Sequence, residues 1–557
     1  MSATRAGMVS YATAGFGNTL THDLARGVPS ALTFFPARHW EAVARDVDAR
    51  TYPREQLVQI LKTSAAKMNA PAPVLENIER LRQPGTYVVA TGQQAGLCGG
   101  PLYSLHKALM AIALARRYEA QAAGAARFVP VFWIAGDDHD LAEIDHADLL
   151  AADGTLRRIR AKFNPESAGS SACDVELAPG ALDELRSELV DAFKSTAPDA
   201  TSIEARVERL IDAYRGRSMS DAFAMLLQEW LGPMGLVVVQ SHEMRALGAE
   251  IYRRELADFD ITARLIQEAA ASLQRYGYKP GFSGKQRSGP HFFVATEPGR
   301  IRARLEPLDN GARFQEASTA FESRGLAPKT YTRSELEALI TREPQRFSSA
   351  AALRPVLQQH VLPVVSVVLG PGEIDYWSQL SKVFAHFGAP FPVVVPRASL
   401  TLLDDRGAQN LRRLGMEASA SNLFLDADDF RKKLLHSGEA AARIDAHSKI
   451  ILAEFDKMAA DIHAIDKGLK PLFEKTRERF VHELERISEK TAASAGQSEG
   501  AVQARARQLS ALVRPKNSPQ ERVLSSLQFI ARYPNLPAEL LDLIDPDLRE
   551  HQVIVLS

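Results

Sequence analysis

Short apolar runs alternate with amphipathic segments along about the first 400 residues of the chain. The runs are rich in Val, Leu and Phe and lie at 87–90, 128–134, 235–240, 362–370 and 391–396. Between them, apolar residues recur every three or four positions at 38–48, 53–68, 72–83, 105–117, 180–195, 202–231 and 254–277. Buried parallel strands joined by helices have this pattern. It therefore predicts an α/β fold with a doubly wound parallel sheet.

The region between about 150 and 345 mixes this alternation with a different pattern. Between Lys279 and Arg304, short β-type runs are separated by glycine turns, which predicts hairpin strands. A doubly wound sheet tolerates insertions at its loops. We therefore expect inserted connecting domains in this region.

From about residue 438 the apolar residues follow a longer helical pattern. They recur by threes and fours from Ile451 to Thr476, and Phe480, Leu484 and Ile487 continue the face after a shift in register. Apolar residues at this spacing with charges between them are typical of a coiled coil. The sequence therefore predicts a C-terminal α-helical coiled-coil domain.

Three features predict how this helical region is interrupted and how the chain ends. Gly468 and Pro471 predict a local bend. The small polar stretch 493–500 predicts a turn before a returning helix at 501–513, which would make an antiparallel helical hairpin. The final run, 553–556, is typical of an edge strand that returns to the core.

These patterns give a domain division. It comprises a first core part at 1–150, an inserted region at 151–345, a second core part at 346–405, the helical domain at 406–515 and a returning segment at 516–557.

Composition and charge narrow the class of protein. The 557 residues include 67 basic and 68 acidic side chains, so no global charge recruits nucleic acid or a membrane. The two cysteines exclude a disulfide framework and a cysteine-based zinc site. No apolar run approaches the length of a membrane span. We therefore expect a cytoplasmic protein.

A glycine-rich string follows the first predicted strand of the sheet. It runs from Thr91 to Tyr103 and contains glycines at 92, 96, 99 and 100. Glycine permits a positive φ and close approach of a ligand, and the start of the following helix favours an anion. The spacing matches neither of the common nucleotide fingerprints. The string therefore predicts a ligand loop without defining the ligand.

Polar side chains near this string are candidate ligand contacts. Gln93 and Gln94 follow the strand directly, and their amides can bind a polar substrate or cap the turn. His106 and Lys107 lie in the following helix, where Lys107 can reach a phosphate or a carboxylate, or face solvent. Cys98 is interpreted as a small filler residue.

The second candidate cluster is Gly136-Asp-Asp-His-Asp140, directly after another strand. Carboxylates with an imidazole can bind a divalent metal, but consecutive residues rarely converge on one ion. Asp138 and His139 can instead contact a substrate or serve as general acid and base. Structural capping is the third alternative.

The third candidate cluster follows the run 362–370. There Glu373 can bind an amine and Tyr376 can form a pocket wall, or Glu373 can stabilise the start of a helix. Arg397, after the last run, is a candidate fork for a carboxylate or phosphate. Ligands of parallel sheets bind at the carboxyl ends of strands. The three clusters therefore predict one composite pocket.

Together these strings resemble the bacillithiol biosynthesis cysteine-adding enzyme family. The matching strings are TGQQAGLCGGPLYSLHK (91–107), PVFWIAGDDHD (130–140), LRPVLQQHVLPVVSVVLGPGEIDYWSQL (353–380), VVVPRASLTLLD (393–404) and PQERVLSSLQF (519–529). Two departures are visible. This chain has Phe347-Ser-Ser-Ala350 where the family tends to carry Phe-Ser-Pro-Asn, and Asp138 where family members often carry Glu.

The resemblance implies a Rossmann-like core with inserted connecting domains and a coiled-coil domain. It also implies a cytoplasmic ligase that joins L-cysteine to glucosaminyl-malate in the last step of bacillithiol biosynthesis. Because a carboxylate does not condense with an amine spontaneously, ATP with Mg²⁺ is the implied activator. The coiled coil makes a homodimer plausible.

The resemblance also suggests roles for the residues in the three clusters. The expected cofactor-binding residues are Gly92, Gly99, Gly100, His106 and Lys107. The expected substrate-binding residues are Gln93, Gln94, Tyr103, Glu373, Tyr376 and Arg397. Asp138 and His139 are expected to orient or deprotonate the attacking amine, and no metal ligand is expected.

Two other functions remain open from the sequence. One is a metal-dependent hydrolase that acts on an amino sugar through the 136–140 cluster. The other is a non-catalytic assembly protein whose core holds a nucleotide.

Overall fold

The computed structural model describes residues 2–151, 153–193, 200–282, 289–297, 300–436, 439–494 and 497–556. In chain order its strands are β1 (Ala3–Val9), β2 (Thr86–Gln93), β3 (Arg127–Ile134), β4 (His146–Leu150), β5 (Leu156–Arg160), β6 (Val237–Gln240), β7 (Phe292–Ala295), β8 (Arg302–Leu308), β9 (Arg313–Ala317), β10 (Thr330–Thr332), β11 (Phe347–Ser349), β12 (Val364–Leu369), β13 (Val393–Pro396), β14 (Leu400–Leu403) and β15 (His551–Leu556).

The α-helices fall between and after these strands. In chain order they are α1 (Tyr11–Ala14), α2 (Thr19–Ala25), α3 (Pro29–Leu32), α4 (Trp40–Asp48), α5 (Arg54–Lys67), α6 (Ala72–Arg80), α7 (Leu102–Ala122), α8 (Leu141–Ile144), α9 (Ala181–Phe193), α10 (Ala200–Tyr214), α11 (Met219–Leu231), α12 (Ala249–Ala257), α13 (Phe259–Arg275), α14 (Ala320–Ser323), α15 (Arg333–Arg342), α16 (Arg354–Val361), α17 (Pro371–Trp377), α18 (Ser381–His386), α19 (Asp405–Arg413), α20 (Ala427–His436), α21 (Glu439–Ile465), α22 (Lys470–Ser494), α23 (Gln497–Val513), α24 (Gln520–Val523), α25 (Leu527–Ile530) and α26 (Leu536–Leu543).

The central sheet is parallel and has the strand order β13-β12-β2-β3-β6. In order of appearance along the chain, its strands are therefore arranged 5-4-1-2-3, which is the order of the first five strands of a doubly wound Rossmann fold. The topological switch point lies between β2 and β12, where Ala90 pairs with Val367. The sheet strands predicted at 87–90, 128–134, 362–370 and 391–396 are confirmed, and the short run predicted at 235–240 supplies the fifth strand.

Burial on both faces explains why the strands of this sheet read as continuous apolar runs. Val88, Val89 and Ala90 of β2 have no exposed surface, and Val131 and Phe132 of β3 are equally buried. Helix α7 packs on one face and is itself buried along most of its length. The predicted α/β architecture is thus confirmed.

The inserted region forms a second sheet. Its strand order is β10-β9-β8-β7-β11, and each pair is antiparallel. The predicted hairpin strands between Lys279 and Arg304 include β7 and the start of β8. Two boundaries differ from the predicted division. Strand β6, inside 151–345, belongs to the central sheet, and β11, inside 346–405, belongs to the inserted sheet.

The chain termini meet in a three-stranded sheet. Its order is β1-β15-β14, with β15 antiparallel to β1 and parallel to β14. The prediction of an edge strand at 553–556 is wrong in this respect, because β15 is the middle strand. Val553 and Ile554 are nonetheless fully buried in the main hydrophobic core, so the chain end does return to it.

The helical domain reverses direction earlier than predicted. Helix α21 ends at Ile465, and α22 begins at Lys470 and runs back beside it. The ring of Phe455 lies 5.5 Å from that of Phe473 and 5.8 Å from that of Phe480. The bend expected at Gly468 and Pro471 is therefore the tip of the hairpin. The turn predicted at 493–500 lies partly outside the described residues.

Candidate functional site

A cavity of about 370 Å³ lies at the switch point of the central sheet. Its lining comes from the carboxyl ends of β2, β3 and β12 and from helices α7, α8, α16, α17 and α24. Ligands of doubly wound sheets bind at such a place. The lining residues with polar or aromatic side chains are Thr91, Gln93, Gln94, Tyr103, Lys107, Trp133, Asp138, Glu143, Arg354, Gln358, Glu373, Tyr376, Trp377, Arg397 and Arg522.

The structure brings most of the sequence-predicted residues together at this cavity. Those that line it are Gly92, Gln93, Gln94, Tyr103, Lys107, Asp138, Glu373, Tyr376 and Arg397. The three strand endings from distant parts of the sequence therefore form one composite pocket, as predicted. Their individual roles remain predictions.

Lys107 connects three of the elements that form the cavity. Its buried ammonium group donates to Gly92 O and Gln93 Oε1, each at 2.8 Å, and lies 2.5 Å from Glu373 Oε2. An ammonium group has three donors, so these protein groups use all of them. Burial lowers the pKa of Lys107, and the charge of Glu373 acts in the opposite direction. Lys107 thus holds the cavity wall together.

Glu373 also fixes the start of helix α17. Its Oε2 accepts the backbone N–H of Gly370, the residue before the helix, at 2.8 Å. A Cβ on Gly370 would lie 3.4 Å from Glu373 Oε2, 3.5 Å from Arg397 Nε and 3.6 Å from Lys107 Cε. The absence of a side chain at Gly370 therefore leaves room for a ligand atom in a charged corner.

A chain of amide hydrogen bonds runs along one side of the cavity. Gln93 Nε2 donates to Gln94 Oε1 and to Tyr103 Oη, each at 3.1 Å, and Gln94 Nε2 donates to Glu143 Oε2 at 2.6 Å. Burial raises the pKa of Tyr103 to about 12, so its hydroxyl is neutral. The chain orients both glutamine amides toward the cavity.

Arg397 differs from the predicted anion fork, because a protein carboxylate already occupies that fork. Its Nη1 and Nη2 donate to the two oxygens of Glu521 at 2.6 and 2.7 Å. His106 Nδ1 lies 2.9 Å from the same carboxylate. Burial acts to raise the pKa of Glu521, but the charge of Arg397 and the His106 contact outweigh it and lower the pKa. Glu521 is therefore an internal counter-ion.

Three predicted cofactor contacts lie outside this cavity, in contrast to the prediction. Gly99 has φ +82° and packs on Trp230, and Gly100 has φ +69° and packs on Phe223. His106 is fully buried beside Glu521. The glycines at these positions permit a tight turn rather than the approach of a ligand.

The C-terminal segment covers the helix start where an anion was predicted. Leu102 N, in the first turn of α7, donates to Leu524 O at 2.8 Å, and Ser526 N donates to Gly100 O at 3.0 Å. The first bond uses a backbone N–H that would otherwise be available to a phosphate, and the second holds the C-terminal segment over the helix start.

The Gly136–Asp140 cluster is surrounded by arginines. Asp137 is buried against Arg245, whose Nη2 lies 2.6 Å from its carboxylate. Asp138 lies 3.9 Å from both Arg302 and Arg354. Burial acts to raise the pKa of Asp138, but Arg354 and Arg302 outweigh it and the pKa is lowered. These neighbours disfavour a divalent cation, and within the described ranges no group of three or more acidic, His or Cys side chains is placed to hold one.

His139 lies beside Asp138 but does not line the cavity. Its Nδ1 is 3.1 Å from Arg302 Nη1, and burial and the charge of Arg302 lower its pKa. The ring is therefore held in its neutral form.

Sequence reasoning missed several side chains of the cavity. Arg354 and Gln358 lie on α16, Glu143 on α8, and Arg522 on α24. Arg354 and Arg522 fall inside strings that carry the family resemblance, which was their only signal. Arg522 forms no ion pair within the described part of the chain, and Arg354 Nε is buried there without a hydrogen-bond partner. These two cations are the ones left for an anionic ligand.

The fold and the cavity define a Rossmann-like protein with a polar cavity at the switch point of its sheet. Residues 8–398 match the N-terminal Rossmann-like domain of the bacillithiol biosynthesis BshC family, and residues 400–556 match its C-terminal coiled-coil domain. The chain belongs to this family.

Curated relatives agree with this assignment. A protein of Chloroherpeton thalassium is 29% identical over 523 residues, covering 90% of this chain and 88% of the relative. Proteins of Bacillus cereus and Bacillus cytotoxicus are 29% and 28% identical, with 88% of each chain covered. All three are named "Putative cysteine ligase BshC". Among the described residues, no helix is long and apolar enough to cross a membrane.

Proposed function

We propose that this chain is a ligase that joins the carboxyl group of L-cysteine to the amine of glucosaminyl-malate as an amide, in the last step of bacillithiol biosynthesis. The relatives named as cysteine ligases support the reaction class. The observation that carries the proposal is the mixed charge of the cavity at the switch point. Arg522, which forms no ion pair among the described residues, and carboxylates that can accept amine protons line the same space.

The side chains of the cavity match the chemistry of the two substrates. Arg354 and Arg522 supply positive charge for the carboxylates of malate and cysteine. Gln93, Gln94 and Gln358 supply donors and acceptors for sugar hydroxyls. Asp138 and the other carboxylates attract the amines. A volume of about 370 Å³ is in the range of small-molecule sites.

We further propose ATP with Mg²⁺ as the activator, which would supply the leaving group that the cysteine carboxylate lacks. The corner at Gly370 and the unpartnered Nε of Arg354 fit an anionic group. Gly370 and Gly372 would leave room for the phosphates, and Arg354 and Arg522 would share their positive charge between the phosphates and the substrate carboxylates. Lys107 and Arg397 surround the same corner, but protein acceptors bind most of their donors, so they contribute charge and shape.

The remaining residues position the reactants. Tyr376 and Trp377 form an aromatic wall. The amide chain from Gln93 to Glu143 presents polar groups in a fixed direction. Fixing two reactants beside each other reduces the entropic part of the barrier. The proposed reaction uses ATP and a reduced thiol, which places it in the cytoplasm.

We also propose that the hairpin of α21 and α22 mediates a homodimer. Large apolar side chains on it remain exposed, among them Ile450, Ile465 and Leu472. Exposed apolar residues in a coiled-coil hairpin are typical of a contact with a second copy.

The test is mass spectrometry of the purified protein with L-cysteine and glucosaminyl-malate, with and without Mg-ATP. We expect bacillithiol with ATP only. Formation of bacillithiol without ATP would support the proposed ligation and contradict ATP as the activator. Unchanged substrates under both conditions would contradict the ligase. Activity on an amino sugar that a chelator abolishes would support the metal-dependent hydrolase instead.

A further inference from the structure

Acylation of an amine requires a group that accepts its proton, and the cavity region offers four candidates. They are Asp138, His139, Glu143 and Glu373. A general base needs a free lone pair within reach of the reacting nitrogen. The existing hydrogen bonds and ion pairs of each candidate therefore indicate which one can act as the base.

His139 has no lone pair left on its ring. Arg302 Nη1 lies 3.1 Å from its Nδ1, and a guanidinium group can only donate, so Nδ1 accepts. A neutral ring then carries its hydrogen on Nε2. Arg302 cannot turn away easily, because its Nε donates to Ser348 Oγ and its Nη2 to Ser349 O, each at 2.9 Å. His139 is thus a hydrogen-bond donor.

Asp138 and Glu373 are both engaged by groups of the protein. Asp138 lies between Arg302 and Arg354, at 3.9 Å from each, and these charges lower its pKa and make it a weak base. Glu373 is 2.5 Å from Lys107 Nζ and accepts the N–H of Gly370, so its Oε2 is already occupied. Both groups are better suited to orienting an amine than to removing its proton.

Glu143 differs from the other three candidates. Its side chain accepts one hydrogen bond, from the neutral amide of Gln94 at 2.6 Å, and has no ion-pair partner among the described residues. Its exposed carboxylate lines the cavity, so a proton can pass on to solvent. Burial and the neighbouring charge of Asp138 raise its pKa, which strengthens it as a base.

We propose that Glu143 is the general base of the reaction, an inference that rests on the proposed function. The amine nitrogen attacks the carbonyl carbon of the activated cysteine, and the new C–N bond forms as the leaving group departs with its electron pair. One N–H proton passes to the Glu143 carboxylate and then to water. Asp138, which lines the cavity, orients the amine, and Gln94 orients Glu143.

The test compares Glu143→Gln with Asp140→Asn, an exposed neighbour outside the cavity. Glutamine keeps the size of the side chain and an acceptor for Gln94, so the fold is retained. We expect kcat to fall about 100-fold or more in Glu143→Gln, within the range for loss of a general base. Asp140→Asn should change it less than about 3-fold.

Two readouts separate a base from a merely structural residue. Wild-type kcat/KM should decline as the pH falls through the raised pKa of Glu143, since the base is then protonated, and this decline should vanish in Glu143→Gln. Acetate should restore part of the activity of Glu143→Ala by replacing the missing carboxylate. A glutamate that only supports the fold would give neither result.

The outcomes distinguish this inference from the proposed function. Product from the wild-type protein together with near-normal turnover in Glu143→Gln would overturn the assignment of Glu143 alone. If the decline of kcat/KM at low pH vanishes in His139→Gln and persists in Glu143→Gln, the assignment of Glu143 is also overturned and His139 is the base. Failure of the wild-type protein to form product would overturn the proposed ligase, and with it the need for a base.

Discussion

Beside the cavity of the sheet core, Arg397 and Glu521 form a buried ion pair, whereas in the helical hairpin (α21 and α22) the ion pairs are exposed. Arg397 and Glu521 are each 2% exposed and form two hydrogen bonds. Arg477 and Asp456 form the same kind of pair in the hairpin, but they are 47% and 49% exposed. Water screens the second pair and not the first. Breaking the buried pair should therefore change the free energy of unfolding much more than breaking the exposed pair, although their geometry is similar.

Apolar residues show the same contrast between the two regions. Eight of the eleven large apolar side chains exposed among the described residues lie in the hairpin: Ile450, Ile451, Met458, Ile465, Leu469, Leu472, Phe480 and Ile487. In the core, the equivalent residue types fill continuous clusters. The core is thus complete in one chain, whereas two helices alone cover only part of the hairpin's apolar surface.

The largest effect should come from removing one partner of the buried pair. In Glu521→Gln, the charge of Arg397 remains buried without its counter-ion, and His106 loses a charged acceptor. We expect the free energy of unfolding to fall by about 3 kcal/mol, at the low end for breaking a buried pair. Urea unfolding followed by tryptophan fluorescence measures the core, since all four tryptophans lie between residues 40 and 377.

The matched control is Asp456→Asn in the hairpin. It removes the same charge from an exposed pair and should leave the unfolding curve of the core unchanged. Replacing both Arg397 and Glu521 by leucine should restore part of the lost stability, because no unpaired charge stays buried. Equal effects of Glu521→Gln and Asp456→Asn would contradict the contrast between the regions.

The core also contains a titrating group with no counterpart in the hairpin. His551 is buried between Ser399 Oγ at 2.8 Å and Thr401 Oγ1 at 2.9 Å. Burial lowers its pKa from 6.5 to about 4. The unfolded chain therefore binds this proton at a higher pH than the folded chain does. The stabilisation is complete above pH 6.5 and is lost as the pH falls toward 4.

We expect this group to make the core up to about 3 kcal/mol less stable at pH 4 than at pH 7, as the shift in pKa implies. The measurement is the urea midpoint of the core between these two pH values in the wild type and in His551→Gln. The variant should show a shallower dependence on pH. Identical slopes in both proteins would exclude His551 as the source.

The contrast between regions also explains how far the sequence could predict this molecule. Strands β2 and β12 were predictable because a parallel strand buried on both faces is a continuous apolar run. Gln93 and Glu373 were predictable as pocket residues because they directly follow those strands. Each of these signals is local in the sequence.

Other parts of the site depend on contacts between distant segments. Glu521 reaches Arg397 across 124 positions, and Arg302 reaches His139 across 163. No periodicity encodes such a pairing, so the sequence alone indicates that Arg397 is available to bind an anion. The position of the hairpin tip depends on a similar contact. One apolar seam fits a single long helix and two antiparallel helices equally well, and the contact between Phe455 and Phe480 distinguishes them.

The smallest expected effect on the core, but a clear one on assembly, comes from the exposed apolar face of the hairpin. Ile450 and Leu472 are 61% and 60% exposed. Changing both to glutamate should weaken the proposed dimer at least about 10-fold, since burying a charge at an apolar contact costs more than about 1.4 kcal/mol. Sedimentation velocity across a concentration series measures the association.

The unfolding curve of the core should be unchanged in the same double variant, because these side chains lie outside its hydrophobic clusters. Arg413→Glu, in α19 outside the hairpin, is a control for the added negative charge. If the wild-type protein is monomeric at all concentrations, a second copy does not cover the apolar face. If the double variant instead lowers the stability of the core, the hairpin supports the fold directly, and the division between a self-sufficient core and an assembly element is wrong.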